Sequence, residues 1–197
     1  MQNKTILSVA FVLMILVQWF VPSKMIWDRE DVLRNGNEYY FECKPIDPND
    51  PFRGKYITLG FKEDRYTVLD STDYQSGEQV FIKLKNSAQG FVQIQSILKE
   101  KPENMSDVLS VKTRSNFISK TYNQNIVAID YPFDRFYMEE SKAKPAENLY
   151  RKSNRDSISA TYAVIMIKDG VGVIKDVMID GVPIGEIVDN NIRLNTY

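Results

Sequence analysis

Residues 159–188 read SATYAVIMIKDGVGVIKDVMIDGVPIGEIV. Ser159 to Ile167 and Val171 to Ile179 are apolar runs separated by Lys168-Asp169-Gly170, and Asp180-Gly181 repeats the break before Val182 to Val188. Asp-Gly suits a two-residue hairpin turn because both central positions need positive φ, which Gly adopts freely and Asp tolerates. Two such turns in succession predict a three-stranded antiparallel meander. Upstream, the same period of two recurs. Tyr39, Phe41 and Cys43 alternate, as do Ile57, Leu59 and Phe61, then Val80, Ile82 and Leu84, then Val92 and Ile94. Val108 to Thr113, Ile126 to Tyr131 and Arg135 to Met138 continue the series. Pro45 to Phe52 holds three prolines and reads as a rigid loop. Ala143 to Arg155 is the one helical stretch of this part, with Pro145 tolerated in its first turn. The pattern predicts a mainly β fold: a β-sandwich or irregular barrel domain with one short helix.

The N-terminus is of another kind. Thr5 to Ser23 is an uncharged run between Lys4 and Lys24. As a helix it rises about 28 Å, close to the ~30 Å hydrocarbon core of a bilayer. Trp19 and Trp27 sit at its far end, where indole rings favour the headgroup layer. Pro22 is expected to close the helix or start a turn, and Asp28 to Leu33 to form a short helical exit ended by Asn35-Gly36. A cleaved secretory signal has a shorter apolar core followed by a small-x-small site, and Val21-Pro22-Ser23-Lys24 is a poor one. The expectation is a single N-terminal transmembrane helix, with residues 1–27 as anchor and residues 28–197 as an exported all-β domain. The flanking charges are nearly balanced. A head too short to hold a domain predicts the N-terminus inside and the body outside, at the bacterial cytoplasmic (inner) membrane.

Composition narrows the chemistry. The chain has 25 Lys plus Arg, 26 Asp plus Glu, no histidine and one cysteine. A net charge of −1 argues against a basic nucleic-acid binder, and the exported portion, without Lys4 and Lys24, carries −3, a mildly acidic face that predicts no attraction to anionic lipid. Without histidine there is no Ser-His-Asp or Cys-His catalysis and no histidine-bound zinc. A lone Cys43 cannot form an intramolecular disulfide, and its place on an apolar stripe predicts a buried thiol.

The stretch Asp47-Pro48-Asn49-Asp50-Pro51-Phe52-Arg53-Gly54-Lys55-Tyr56-Ile57-Thr58-Leu59-Gly60-Phe61 resembles the signature of the GDYXXLXY family of membrane-anchored bacterial proteins. Gly54, Tyr56 and Leu59 match its fixed positions; Lys55 stands where the signature has Asp, and Phe61 where it has Tyr. Arg135-Phe136-Tyr137-Met138-Glu139-Glu140, followed by Lys144 and Glu147, resembles the family's Arg-aromatic-aromatic-x-x-Glu segment. The resemblance runs from about Trp27 to Val188. It implies one N-terminal anchor, an exported domain and partners among integral membrane proteins. Read physically, the motif is a fold-defining turn and core strand. Gly54 permits a tight backbone, Asp47 and Asp50 form turns, and Arg53 can reach a carboxylate such as Glu140 or Glu147.

Other chemistry is thinner. Asp130, Asp134, Glu139, Glu140 and Glu147 form a carboxylate-rich stretch that could serve a ligand-binding module, although Glu139 and Glu140 would point to opposite faces of a strand. Ser23 with Lys83 or Lys85 would be the pair of a degenerate signal-peptidase-like or other surface hydrolase, but Lys24 interrupts the Ser-Met-x-Pro pattern. Tyr39-Tyr40-Phe41 and Tyr131-Pro132-Phe133 are expected to pack in the core. The reading is a membrane-anchored cell-envelope protein. It acts as a non-enzymatic interaction or scaffold module, with no catalytic residues, metal or cofactor. Its partners are the lipid bilayer and another integral membrane protein, not nucleic acid. Asp47, Arg53, Gly54, Tyr56, Leu59, Arg135, Glu140 and Glu147 are its motif residues.

Overall fold

The computed structural model describes residues 2–44, 56–70, 74–103, 106–119, 124–155 and 160–194. Helix α1 (Gln2–Asn35) leads into β1 (Asn37–Lys44), followed by β2 (Tyr56–Thr58), β3 (Gly60–Phe61), β4 (Arg65–Val68), β5 (Gln79–Asn86), β6 (Val92–Leu98), β7 (Val108–Ser119), β8 (Gln124–Asp130) and β9 (Arg135–Tyr137). Helix α2 (Glu140–Arg155), β10 (Thr161–Lys168), β11 (Val171–Ile179), β12 (Val182–Pro183) and α3 (Ile184–Leu194) complete the chain.

One five-stranded sheet has the order β12-β11-β10-β1-β3, another β4-β8-β7-β5-β6, and β2 pairs with β9 alone. Bridges Tyr40–Phe91 and Leu109–Gly170 join the two large sheets on either side, giving a nearly closed barrel. The alternating stripes all point inward: Phe41, Val80, Ile82, Leu109, Val127, Ile165 and Val177 are fully enclosed. β10 is buried on both faces because α1 and α2 also pack on it. Both Asp-Gly turns form as expected, with positive φ at Asp169 and Gly170 and again at Asp180 and Gly181.

Several expectations need correction. Helix α1 does not end at Pro22; it runs unbroken for 34 residues, about 51 Å. Beyond the proline, pairs at i,i+4 spacing support it: Lys24 with Asp28 at 2.6 Å, Arg34 with Glu30 at 2.9 Å and Asn35 with Asp31 at 2.7 Å. Two helices rather than one follow α1. The third meander strand stops after Pro183, which has no N–H for the ladder. Ile184, Ile187 and Val188 then fall at helical spacing and bury one face of α3 against the core. Helix α2 begins at Glu140, so Glu139 and Glu140 lie at a helix start and not in a strand.

The base of α1 is clamped to the β10–β11 hairpin. Val32 is buried, Lys168 Nζ meets Asp31 at 2.6 Å, and Arg29 donates to the Gly172 carbonyl at 3.4 Å. Gly36 closes the helix, its N–H donating to Val32 O at 2.9 Å; a Cβ there would lie 3.1 Å from the backbone of Ile167. Its free portion, by length and composition, suffices to cross a bilayer, and none of the apolar window is buried.

Gly172 is the tightest contact of β11. A Cβ would collide with Phe133 Cε1, lie 2.9 Å from its Cδ1 and 3.0 Å from Leu109 Cδ1. Gly172→Ala is expected to cost about 1–3 kcal/mol by overpacking, lowering the thermal midpoint by roughly 2–10 °C. Gly185→Ala, where a Cβ meets nothing within 4 Å, should leave the midpoint unchanged or raise it. Thermal unfolding of the detergent-solubilised chain, followed by circular dichroism, measures both.

Candidate functional site

The segment Tyr131-Pro132-Phe133-Asp134 connects β8 to β9 and separates two clefts. Its rings are held from the inside. Phe41 lies edge-on to Phe61 (5.4 Å), Tyr131 (5.3 Å) and Phe133 (5.5 Å), while Tyr131 stacks on Phe133 at 5.5 Å. The Tyr131 hydroxyl donates to Glu63 O, and burial raises its pKa. These are the core aromatics expected from the sequence. Tyr40 is the exception: it is partly exposed and packs on Tyr162.

On one side lies a cleft of about 690 Å³ built around Asp64. Asp64 follows the short β3 strand, and its side chain is only 9% exposed. Lys44 Nζ reaches its Oδ2 at 2.6 Å, and an Arg114 terminal nitrogen reaches the same oxygen at 3.0 Å. Arg114 also holds Asp130 at 2.9 Å and donates to Ile129 O at 2.8 Å. Burial pushes the Asp64 carboxyl up, but the hydrogen bonds and charges of Lys44 and Arg114 outweigh it and keep it below its ordinary range. This cluster ties β1, β7 and β8 at the barrel mouth. Sequence reading missed it, because Lys62-Glu63-Asp64-Arg65 looks like a solvated charged loop.

On the other side lies a cleft of about 610 Å³ between α1, β9 and β11. Here two motif residues meet. Tyr56 pairs with Tyr137 in the β2–β9 ribbon, their rings 5.4 Å apart, and the Arg135 guanidinium sits 5.0 Å from the Tyr56 ring. Leu59 is buried and its N–H donates to Asp134 O at 2.8 Å. Glu147 is largely enclosed on α2, 3.5 Å from Lys144, while Glu140 is exposed at the start of that helix. Asp47, Arg53 and Gly54 lie outside the described residues, so the Arg53 partnership with Glu140 or Glu147 does too.

The carboxylate-rich stretch is dispersed. Asp130 faces Arg114, Asp134 lies 3.7 Å from Arg135, and Glu139 accepts from Ser141. Ser23 lies on the exposed part of α1, and Lys83 and Lys85 lie on β5 of the second large sheet. Cys43 is buried beside Tyr150, and desolvation pushes its thiol up to about 12, so it is protonated near neutral pH.

The family described as GDYXXLXY protein matches residues 18–177, from within α1 to β11, most of the chain. No curated protein and no solved structure matches the chain.

The Asp64 cluster predicts an acid-sensitive contribution to stability. A carboxyl held below its ordinary value near 3.8 stabilises the fold when ionised. That contribution is complete above the unfolded value and fades as pH falls through the lower folded value. Asp64→Asn should therefore cost about 1–2 kcal/mol at pH 7, reduced from a fully buried pair by the exposure of Lys44 and Arg114. The gap from the parent should narrow below about pH 4. Urea unfolding of both proteins across pH 3–7 measures the difference; a gap independent of pH would refute it.

Proposed function

This chain belongs to the GDYXXLXY family, and from its geometry we propose that it is a membrane-anchored, non-enzymatic interaction module of the bacterial cell envelope. The observation that carries the reading is the continuity of α1. Its apolar side chains, from Ile6 to Trp27, are exposed, whereas its last turns are clamped to β10 and β11. In water that apolar surface is costly; in a bilayer it is matched. Cleavage near Ser23 would divide a helix that enters the body without a break, which supports an uncleaved anchor.

The anchor holds the body close. From Ser23 to Asp31 the helix rises about 12 Å, a few ångströms more than a headgroup layer of roughly 5–8 Å. Trp27, 77% exposed, falls within that interval, where an indole is favoured. In this reading the barrel is a head resting at the surface of the inner membrane, outside the cytoplasm. Its natural partner is another integral membrane protein presenting a surface at the same height. The charged cleft around Asp64 supports a second reading, a ligand-binding module served by Lys44 and Arg114 and not by the dispersed carboxylates.

Full-length protein is expected to remain in the membrane pellet after alkaline carbonate extraction, at its uncleaved mass. A topology reporter active only outside the cytoplasm should light up when fused after Tyr197. Capture of the tagged full-length chain in mild detergent should recover one multi-span protein reproducibly. A soluble, shortened product, or a silent reporter, would refute the anchored reading; a membrane-bound chain without a companion would refute the interaction role alone.

A further inference from the structure

The cleft between α1, β9 and β11 combines three features that the anchored reading places at one height. The first is position. Arg29 lies about 9 Å along α1 from Ser23, just beyond a headgroup layer roughly 5–8 Å deep and within reach of it through its long side chain. The second is charge. Arg29, Arg135 and Lys175 line the cleft, with Asp134 the one carboxylate among its lining residues. Asp134 lies 3.7 Å from Arg135 and Glu38 lies 2.8 Å from Lys175, so the unmatched positive charge of this cleft is that of Arg29. The third is spare hydrogen-bonding capacity. Lys175 is held by Glu38 at 2.8 Å, and Arg135 rests over Tyr56. Arg29 has no carboxylate partner among the described residues; its contact is the 3.4 Å bond to Gly172 O. A guanidinium carries five N–H donors in a planar fork, so most of those of Arg29 are available.

We propose that this cleft binds the phosphate of an anionic phospholipid headgroup from the outer face of the membrane, with Arg29 as the principal ligand. The inference rests on α1 being membrane-embedded. A phosphate diester offers two oxygens to the fork of Arg29 in bidentate geometry. Lys175, shared with Glu38, stands at the rim. Tyr137, 64% exposed, and Ile174 supply the apolar wall along which a glycerol backbone lies. The proline of Tyr131-Pro132-Phe133 and the close contact of Gly172 with Phe133 keep the cleft floor rigid. The bound headgroup would then pin the barrel in one orientation about the axis of α1.

The full chain, purified in mild detergent after reconstitution into phosphatidylcholine vesicles with and without phosphatidylglycerol, is examined by native mass spectrometry. Wild type should retain phosphatidylglycerol in preference to phosphatidylcholine. Arg29→Gln should weaken that retention about tenfold, the loss of one charged hydrogen-bonded contact. Arg29→Lys should recover part of it. Arg34→Gln, which removes an exposed charge paired with Glu30 on the same helix, should have no effect. Equal losses in Arg29→Gln and Arg34→Gln would overturn the site in favour of diffuse surface attraction. Arg29-dependent binding of inorganic phosphate without retained phosphatidylglycerol would overturn the lipid assignment. Vesicle flotation separates the two failures. A chain that does not float refutes the anchor, whereas one that floats without lipid preference refutes only the cleft.

Discussion

Phe133 pressed against the bare backbone of Gly172 is the contact on which the rest of this molecule depends. The ring belongs to a cluster with Phe41, Phe61 and Tyr131, so it joins β1, β3 and the β8–β9 connection to β11. Edge-to-face packing gives each pair about 0.5–1.5 kcal/mol beyond area burial and also restricts ring orientation. Because the cluster is close-packed, β11 cannot shift without displacing all four rings. β11 in turn carries the hairpin that grips α1. Barrel closure and helix direction therefore share one mechanical origin.

Charge is placed where this packing ends. The Asp64 cluster closes one side of the aromatic block: Lys44 of β1 and Arg114 of β7 both reach Asp64, and Arg114 also holds Asp130 of β8. A carboxylate this enclosed is tolerated because Lys44 and Arg114 both donate to it, and they in turn stay partly hydrated. On the opposite side the cationic groups are more open and less completely matched. The same segment, Pro132-Phe133-Asp134, walls both clefts. One face of the barrel mouth thus holds balanced charge, while the other leaves a guanidinium with donors to spare.

The helix clamp gives the proposed anchor a mechanical meaning. A flexible tether would let the body sample many heights and tilts above a bilayer. Here Val32, Asp31 and Gly36 bind the end of α1 to β10 within about two helical turns of the first strand. Such a helix transmits its tilt and rotation directly to the barrel. A head whose orientation follows its anchor suits lateral recognition between membrane proteins, since the search is confined to a plane and a narrow range of angles.

Local patterns in the chain determined a great deal. The uncharged run of Thr5 to Ser23 specifies a bilayer-length helix through its own composition, and the period-two stripes specify inward-facing strands because successive side chains alternate sides. The paired Asp-Gly turns specify hairpins because few residues accept positive φ twice in succession. Alternation also made Phe41 and Cys43 legible as core, and the aromatic cluster Tyr131-Pro132-Phe133 made Phe133 so. Other features needed the fold. Continuation of α1 past Pro22 depends on i,i+4 pairs and on docking against β10, and α3 on a face completed only when β11 and α2 stand beside it. The meeting of Tyr56 with Arg135, the Lys44–Asp64–Arg114 cluster and the Arg29 cleft join residues far apart along the chain. Such contacts have no spacing to read, since nothing short of the packed barrel decides which distant charges share a surface.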